Sequence, residues 1–112
     1  YNQSSTQAFY YFSLITIDGV LVDSDDWVGV FKGNVCVGSR KWDTSQCGGG
    51  VCELPAMGDD GTEFTAGYMK AGEIPAFKIY DASENKLYNA VASEYIPWYN
   101  FERRWISHLD LL

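Results

Sequence analysis

The sequence predicts an all-β fold in a single domain: an antiparallel β-sandwich, immunoglobulin-like or jelly-roll-like, or a compact barrel. Short runs rich in aromatic and β-branched residues recur along the chain, and Gly, Asp, Asn and Ser punctuate them. No window offers three uninterrupted turns of amphipathic helix, because glycine or a β-branched cluster breaks each candidate. A length of 112 residues suits one hydrophobic core, and 46% hydrophobic with 16% aromatic residues is the composition of a folded chain.

"AFYYFSLITIDGVLV", residues 8–22, reads as a long strand, a turn at Asp18-Gly19 and a short strand. "WVGVFKGNVCVGSRKW" repeats the pattern, with runs Trp27–Phe31 and Asn34–Trp42 on either side of Lys32-Gly33. A third pair, "PAFKIYDAS" and "KLYNAVAS", is joined through Ser83-Glu84-Asn85, and Phe77 and Ile79 alternate with Lys78 and Tyr80. The final "RRWISHLDLL" alternates Trp105, Ser107 and Leu109 with Ile106, His108 and Asp110, as a strand that closes a sheet would. Apolar residues at 101, 105, 109 and 112 also allow a helix over Tyr99–Leu112 as the lesser reading.

The charge balance narrows the partners. Fifteen carboxylates against eight Lys and Arg give a net charge of −7, which repels a phosphate backbone and argues against nucleic acid. No run approaches the ~18 apolar residues of a membrane helix. The chain begins at Tyr1, without an initiator Met or a signal peptide, so it is expected to be a module processed or excised from a longer secreted protein.

Cys36, Cys47 and Cys52 are an odd number, so disulfide formation within the chain leaves one thiol over. A tetrahedral zinc site would need all of them plus the lone His108. Four residues separate Cys47 from Cys52, not the two of a dithiol redox motif, and no helix follows. The preferred reading is a local Cys47–Cys52 disulfide, with Gly48-Gly49-Gly50 supplying the backbone angles a small ring demands. Pairing of Cys36 with one of the loop cysteines is the alternative.

Carboxylates cluster at Asp23, Asp25 and Asp26 and at Asp59, Asp60 and Glu63. Calcium takes its oxygens from such turns, which makes Asp59, Asp60 and Glu63 candidate ligands. Neither cluster has EF-hand spacing, and Asp and Gly also serve turn geometry and solubility. No nucleophile motif accompanies His108, which reads as structural; a carboxylate pair for glycoside hydrolysis is the single catalytic chemistry left open, so the expectation is a non-enzyme. Among the aromatic residues, Trp27 reads as core, whereas Trp98 and Tyr99, in the less periodic "YIPWYNF", are the candidates for a ligand-binding surface. Asn2-Gln3-Ser4 is an acceptor triplet for N-glycosylation at Asn2.

Asp25–Phe31 ("DDWVGVF"), Cys36–Gly38 and Phe77–Ala82 ("FKIYDA") together resemble a module of large secreted or cell-surface proteins of marine bacteria and environmental sequences. The resemblance implies an extracellular, non-catalytic β-sandwich joined to other modules, in an oxidising setting that suits a disulfide. It transfers no catalytic residue. The leading functional expectation is therefore a binding or adhesion module for polysaccharide or a cell-surface protein, with carbohydrate taken through Trp98 and Tyr99 or through the glycine loop. The other expectation is a structural subunit of a filament or layer, assembling with copies of itself through an open apolar strand at Thr6–Ile17.

Overall fold

The computed structural model describes all 112 residues and contains eight strands, no α-helix and three single 3₁₀ turns. The strands are β1 (Gln7–Ile17), β2 (Val20–Leu21), β3 (Trp27–Lys32), β4 (Val35–Lys41), β5 (Glu53–Met57), β6 (Ala76–Asp81), β7 (Lys86–Ala92) and β8 (Arg103–Leu111). Turn chemistry explains the three hairpins. Ile17 pairs with Val20 around Asp18 (φ 51°) and Gly19 (φ 82°), the two positive angles that a tight hairpin turn requires. Lys32 pairs with Val35, which moves the second turn one residue on, to Gly33-Asn34. Asp81 pairs with Lys86 across a loop that ends at Asn85 (φ 52°).

The strands form one curled sheet in the order β2-β1-β8-β7-β6-β3-β4, and β5 pairs with the first half of β1. This half-barrel replaces the stack of two antiparallel sheets expected from the sequence, and it is mixed: β1 and β8 run parallel, Phe9 opposite Arg103 through Ile15 opposite Leu109. Parallel neighbours need a crossover, and here nearly the whole chain serves as one. β1 is also flanked on both sides, by β8 along one edge and by β5 and β2 along the other. The open strand that motivated assembly by strand pairing at Thr6–Ile17 is therefore not open.

β5 has no counterpart in the sequence reading, because a proline sits at its centre. Phe9 N–H donates to Glu102 O at 3.0 Å, so the polar backbone of Phe9 faces β8 and its pairing with Pro55 involves no ladder bond. Pro55 O instead faces β4, where a Cβ built on Gly38 would lie 1.8 Å from it. The N and C=O of an extended residue point the same way, so the donor that proline lacks falls in the β4–β5 seam and not in the β1–β5 ladder. A bulge at Val30/Phe31 leaves Val37 as the extra residue of β4 and brings Gly38 against that seam. Arg40 Nη1 spans the same gap to Glu53 O at 3.1 Å.

Tyr10, Phe12 and Phe77 pack edge to face in the core, and Trp42 meets Phe12 at 5.7 Å. Trp27, expected there, lies on the outer surface at 41% exposure; alternation along β3 turns Val28 and Val30 inward in its place. Asp26 is buried and accepts from the backbone N–H groups of Asp23 and Ala82, fastening the turn before β3 to the loop after β6.

Candidate functional site

Register brings the outward-facing residues of three adjacent strands into rows. Tyr11 of β1 lies opposite Glu53 of β5 and opposite Trp105 of β8; one step along, Phe9 lies between Pro55 and Arg103. Neighbouring strands are about 4.8 Å apart, and the Tyr11 and Trp105 rings rise side by side as a stack, 4.5 Å between centroids and 18° between planes. Tyr11 covers part of the indole, yet Trp105 remains 55% exposed, an unusual amount of open surface for the largest apolar side chain.

Polar groups surround this stack. Tyr11 Oη donates to Glu53 Oε2 at 3.2 Å. Partial desolvation and that bond push the phenol up from its ordinary pKa, so it stays protonated and keeps donating. Arg40, Gln46 and Arg103 complete the polar lining of a hollow of about 520 Å³. Its far wall is the loop between Cys47 and Cys52, which are joined as a disulfide with Cα atoms 5.1 Å apart; Cys36 is the free thiol. Gly49 and Gly50 take φ of 64° and 75° within the ring, the freedom that the glycine run was expected to supply.

A second hollow of about 400 Å³ opens beside the first, lined mainly by Phe12, Leu14, Leu21, Val22, Trp42 and Val51. Val51 and Trp105 border both. The disulfide loop thus forms a ridge between a polar groove and an apolar one, and its conformation shapes each. Compared with protein-family models, curated proteins and solved structures, the chain matches none of them.

Of the residues nominated from the sequence, Cys47, Cys52 and their glycine loop border the hollows, whereas the aromatic, calcium and glycosylation candidates lie elsewhere. Trp98 is not a surface residue: it is 3% exposed, its Nε1 donates to Ala56 O at 2.9 Å, and its ring lies over Gly58, where a Cβ would come within 2.5 Å. An indole whose face and donor are both engaged inside the core cannot stack on a ligand. Tyr99 is exposed, with the Arg104 guanidinium 5.8 Å from its ring, and takes no part in either hollow. Asn2 is exposed, its Nδ2 donating to Phe64 O at 2.9 Å.

The Asp59–Glu63 turn is held together by its own donors. Asp60 accepts from the Thr62 and Thr65 hydroxyls, both at 2.7 Å, and from the N–H groups of Ser5 and Thr62. The two hydroxyl bonds hold its carboxyl well below the usual carboxylate range. Asp59 accepts from Gly61 N, and the three candidate carboxylates do not gather into a metal-binding group. His108 is tied to Thr16 Oγ1 at 2.7 Å between β8 and β1, in keeping with a structural role.

No signal in the sequence marks the observed groove. In "RRWISHLDL", Trp105 shares its parity with Arg103 and Ser107 but also with Leu109, which is buried, while Ile106 shares the other parity with Arg104, His108 and Asp110. Apolar residues stand on both parities, so alternation does not say which side of β8 is wet. Arg40 and Glu53 carried no signal either, because which strands adjoin is not written in them.

Proposed function

We propose that this chain is a non-catalytic extracellular binding module that takes a carbohydrate in the groove beside Tyr11 and Trp105. The exposed indole stacked on a rigid sheet carries the reading: sugars offer apolar C–H faces to such a ring and hydroxyls to the planar polar groups around it. Glu53 supplies acceptors, Arg40 and Arg103 supply donors, and Gln46 supplies both. Strand register places Tyr11, Trp105, Glu53, Arg40 and Arg103, and Gln46 comes from the 3₁₀ turn at Thr44–Gln46, so the backbone of the groove is set before a ligand arrives. A disulfide in a small chain fits an oxidising compartment, and no helix is long and apolar enough to cross a membrane. The motif segments at Asp25–Phe31, Cys36–Gly38 and Phe77–Ala82 fall on or beside β3, β4 and β6 and line neither hollow, so the proposed site does not draw on the module-like pattern.

Glycan-array screening followed by isothermal titration tests the proposal. Trp105→Ala is expected to weaken binding by about 30-fold or more, the scale of a central aromatic contact, while Tyr99→Ala leaves it unchanged. Near-ultraviolet dichroism checks that both variants keep the fold. Failure of the protein to bind any glycan, or full affinity in Trp105→Ala, overturns the reading.

A further inference from the structure

We infer that the groove is built for an acidic glycan, one carrying a carboxylate or a sulfate, which Arg40 and Arg103 hold beside the indole. The inference rests on the carbohydrate reading and specifies its ligand class. Its starting point is a local reversal of charge. The chain has a net charge of −7 and three arginines, yet two of the three line this one hollow, from β4 and β8, against a single carboxylate, Glu53. The charge in the lining is therefore positive on a molecule that is otherwise acidic.

Neither guanidinium is neutralised by the protein. The ion pairs are Lys32–Glu73, Lys41–Asp25, Arg104–Glu102 and, when His108 is protonated, His108–Asp110; Arg40 and Arg103 belong to none of them. Arg40 gives one donor to the backbone carbonyl of Glu53 and keeps the rest of its fork. Glu53 accepts from the Tyr11 hydroxyl and forms an ion pair with neither arginine. In a chain with almost twice as many carboxylates as cations, two unpaired arginines in one groove are an anion-binding arrangement.

The chemistry suits a charged sugar better than a free anion. A guanidinium meets a carboxylate or sulfate with two parallel N–H donors, a geometry lysine does not offer. The anionic group of such a glycan projects from the ring edge, so the sugar face can lie on Trp105 while the charge reaches Arg103, which is two residues away on the same strand and the same face. Attraction between exposed charges is also screened by salt, unlike stacking.

Titrations with trigalacturonate, with the neutral galactotriose of the same linkage and with a sulfated galactan hexasaccharide separate the possibilities. At 50 mM NaCl at least one acidic ligand is expected to bind about tenfold or more tighter than the neutral one, and Arg103→Gln to weaken acidic binding about tenfold more than it weakens neutral binding, so that the preference is lost. Preference for trigalacturonate or for the sulfated galactan identifies which anionic group is read. Raising NaCl to 300 mM should erode the acidic preference. Equal affinity for all three, or an acidic preference unaltered in Arg103→Gln, overturns the inference and leaves the carbohydrate reading standing. Acidic binding that survives Trp105→Ala also overturns it, as binding by charge alone. Absence of binding to all three and across the array removes the carbohydrate reading itself.

Discussion

At Gly38 the absence of a single atom lets the sheet curl. A Cβ there would lie 1.8 Å from Pro55 O and 2.9 Å from Val30 Cγ1, and the first of these is backbone in a paired strand that cannot swing aside. Gly38→Ala must therefore open the β4–β5 seam or distort the bulge, and is expected to destabilise the domain by about 3 kcal/mol, the upper end for overpacking. Gly48→Ala makes the comparison: nothing lies within 4 Å of its Cβ and its φ is not positive, so a change within about 0.5 kcal/mol is expected. Urea unfolding of both variants reads the difference, and a Gly38→Ala midpoint equal to the parent would show that the seam yields freely. Legibility at this scale depended on parity. In β8 the buried residues Ile106 and Leu109 stand on opposite parities, so alternation does not single out Trp105 as outward, and "YIPWYNF" has no period, so Trp98 reads as surface because loops usually are. The loop instead crosses the end of the core, and only the tertiary partner, Ala56 O, reveals why an indole is needed there.

The elements divide by how local their determinants are. The three hairpins were readable because their turns are written in adjacent residues, Asp18-Gly19 above all. β5 was not, since Pro55 argues against a strand until the neighbours on each side are known; nor was the parallel β1–β8 pair, whose partners are far apart in sequence. The disulfide loop lies between these cases: its ring was legible, its place between two hollows was not. Breaking that ring tests how much it contributes beyond covalent closure. By chain entropy a loop this short stabilises by only about 2 kcal/mol, so Cys47→Ser/Cys52→Ser is expected to fold with stability reduced by no more than that amount in urea unfolding. Its effect on glycan affinity should be larger than its effect on the core, because Val51 and Cys47 line the groove. A variant that loses the fold would assign the ring to the core; one that binds with parental affinity would show that the loop wall does not contact the ligand.

On the scale of the whole molecule, β8 is the strand that joins the two ends of the chain. It lies between β1 and β7, so it alone joins by ladder pairing the group formed by β1, β2 and β5 to the group formed by β3, β4, β6 and β7, which otherwise meet at the β4–β5 seam. The same strand carries Trp105 and Arg103 outward and Ile106 and Leu109 inward, so the binding face and the core share one backbone. Contacts between β1 and β8 close nearly the full length of the chain, and the entropy of that closure has to be met before they stabilise anything. The hairpins β3–β4 and β6–β7, with their antiparallel contact between β3 and β6, need far shorter closures. Folding is therefore expected in milliseconds to seconds, with the β3–β4–β6–β7 half organised in the transition state and β8 docking late. Ile106→Ala, which removes a fully buried side chain, should cost about 2–5 kcal/mol in stability. Because β8 docks after the barrier, most of that loss should appear as faster unfolding, whereas Ile79→Ala on β6 should also slow folding. Stopped-flow chevrons for the two variants measure this partition. A folding limb slowed as much by Ile106→Ala as by Ile79→Ala would place β8 inside the nucleus and make closure of the chain ends the first step of folding.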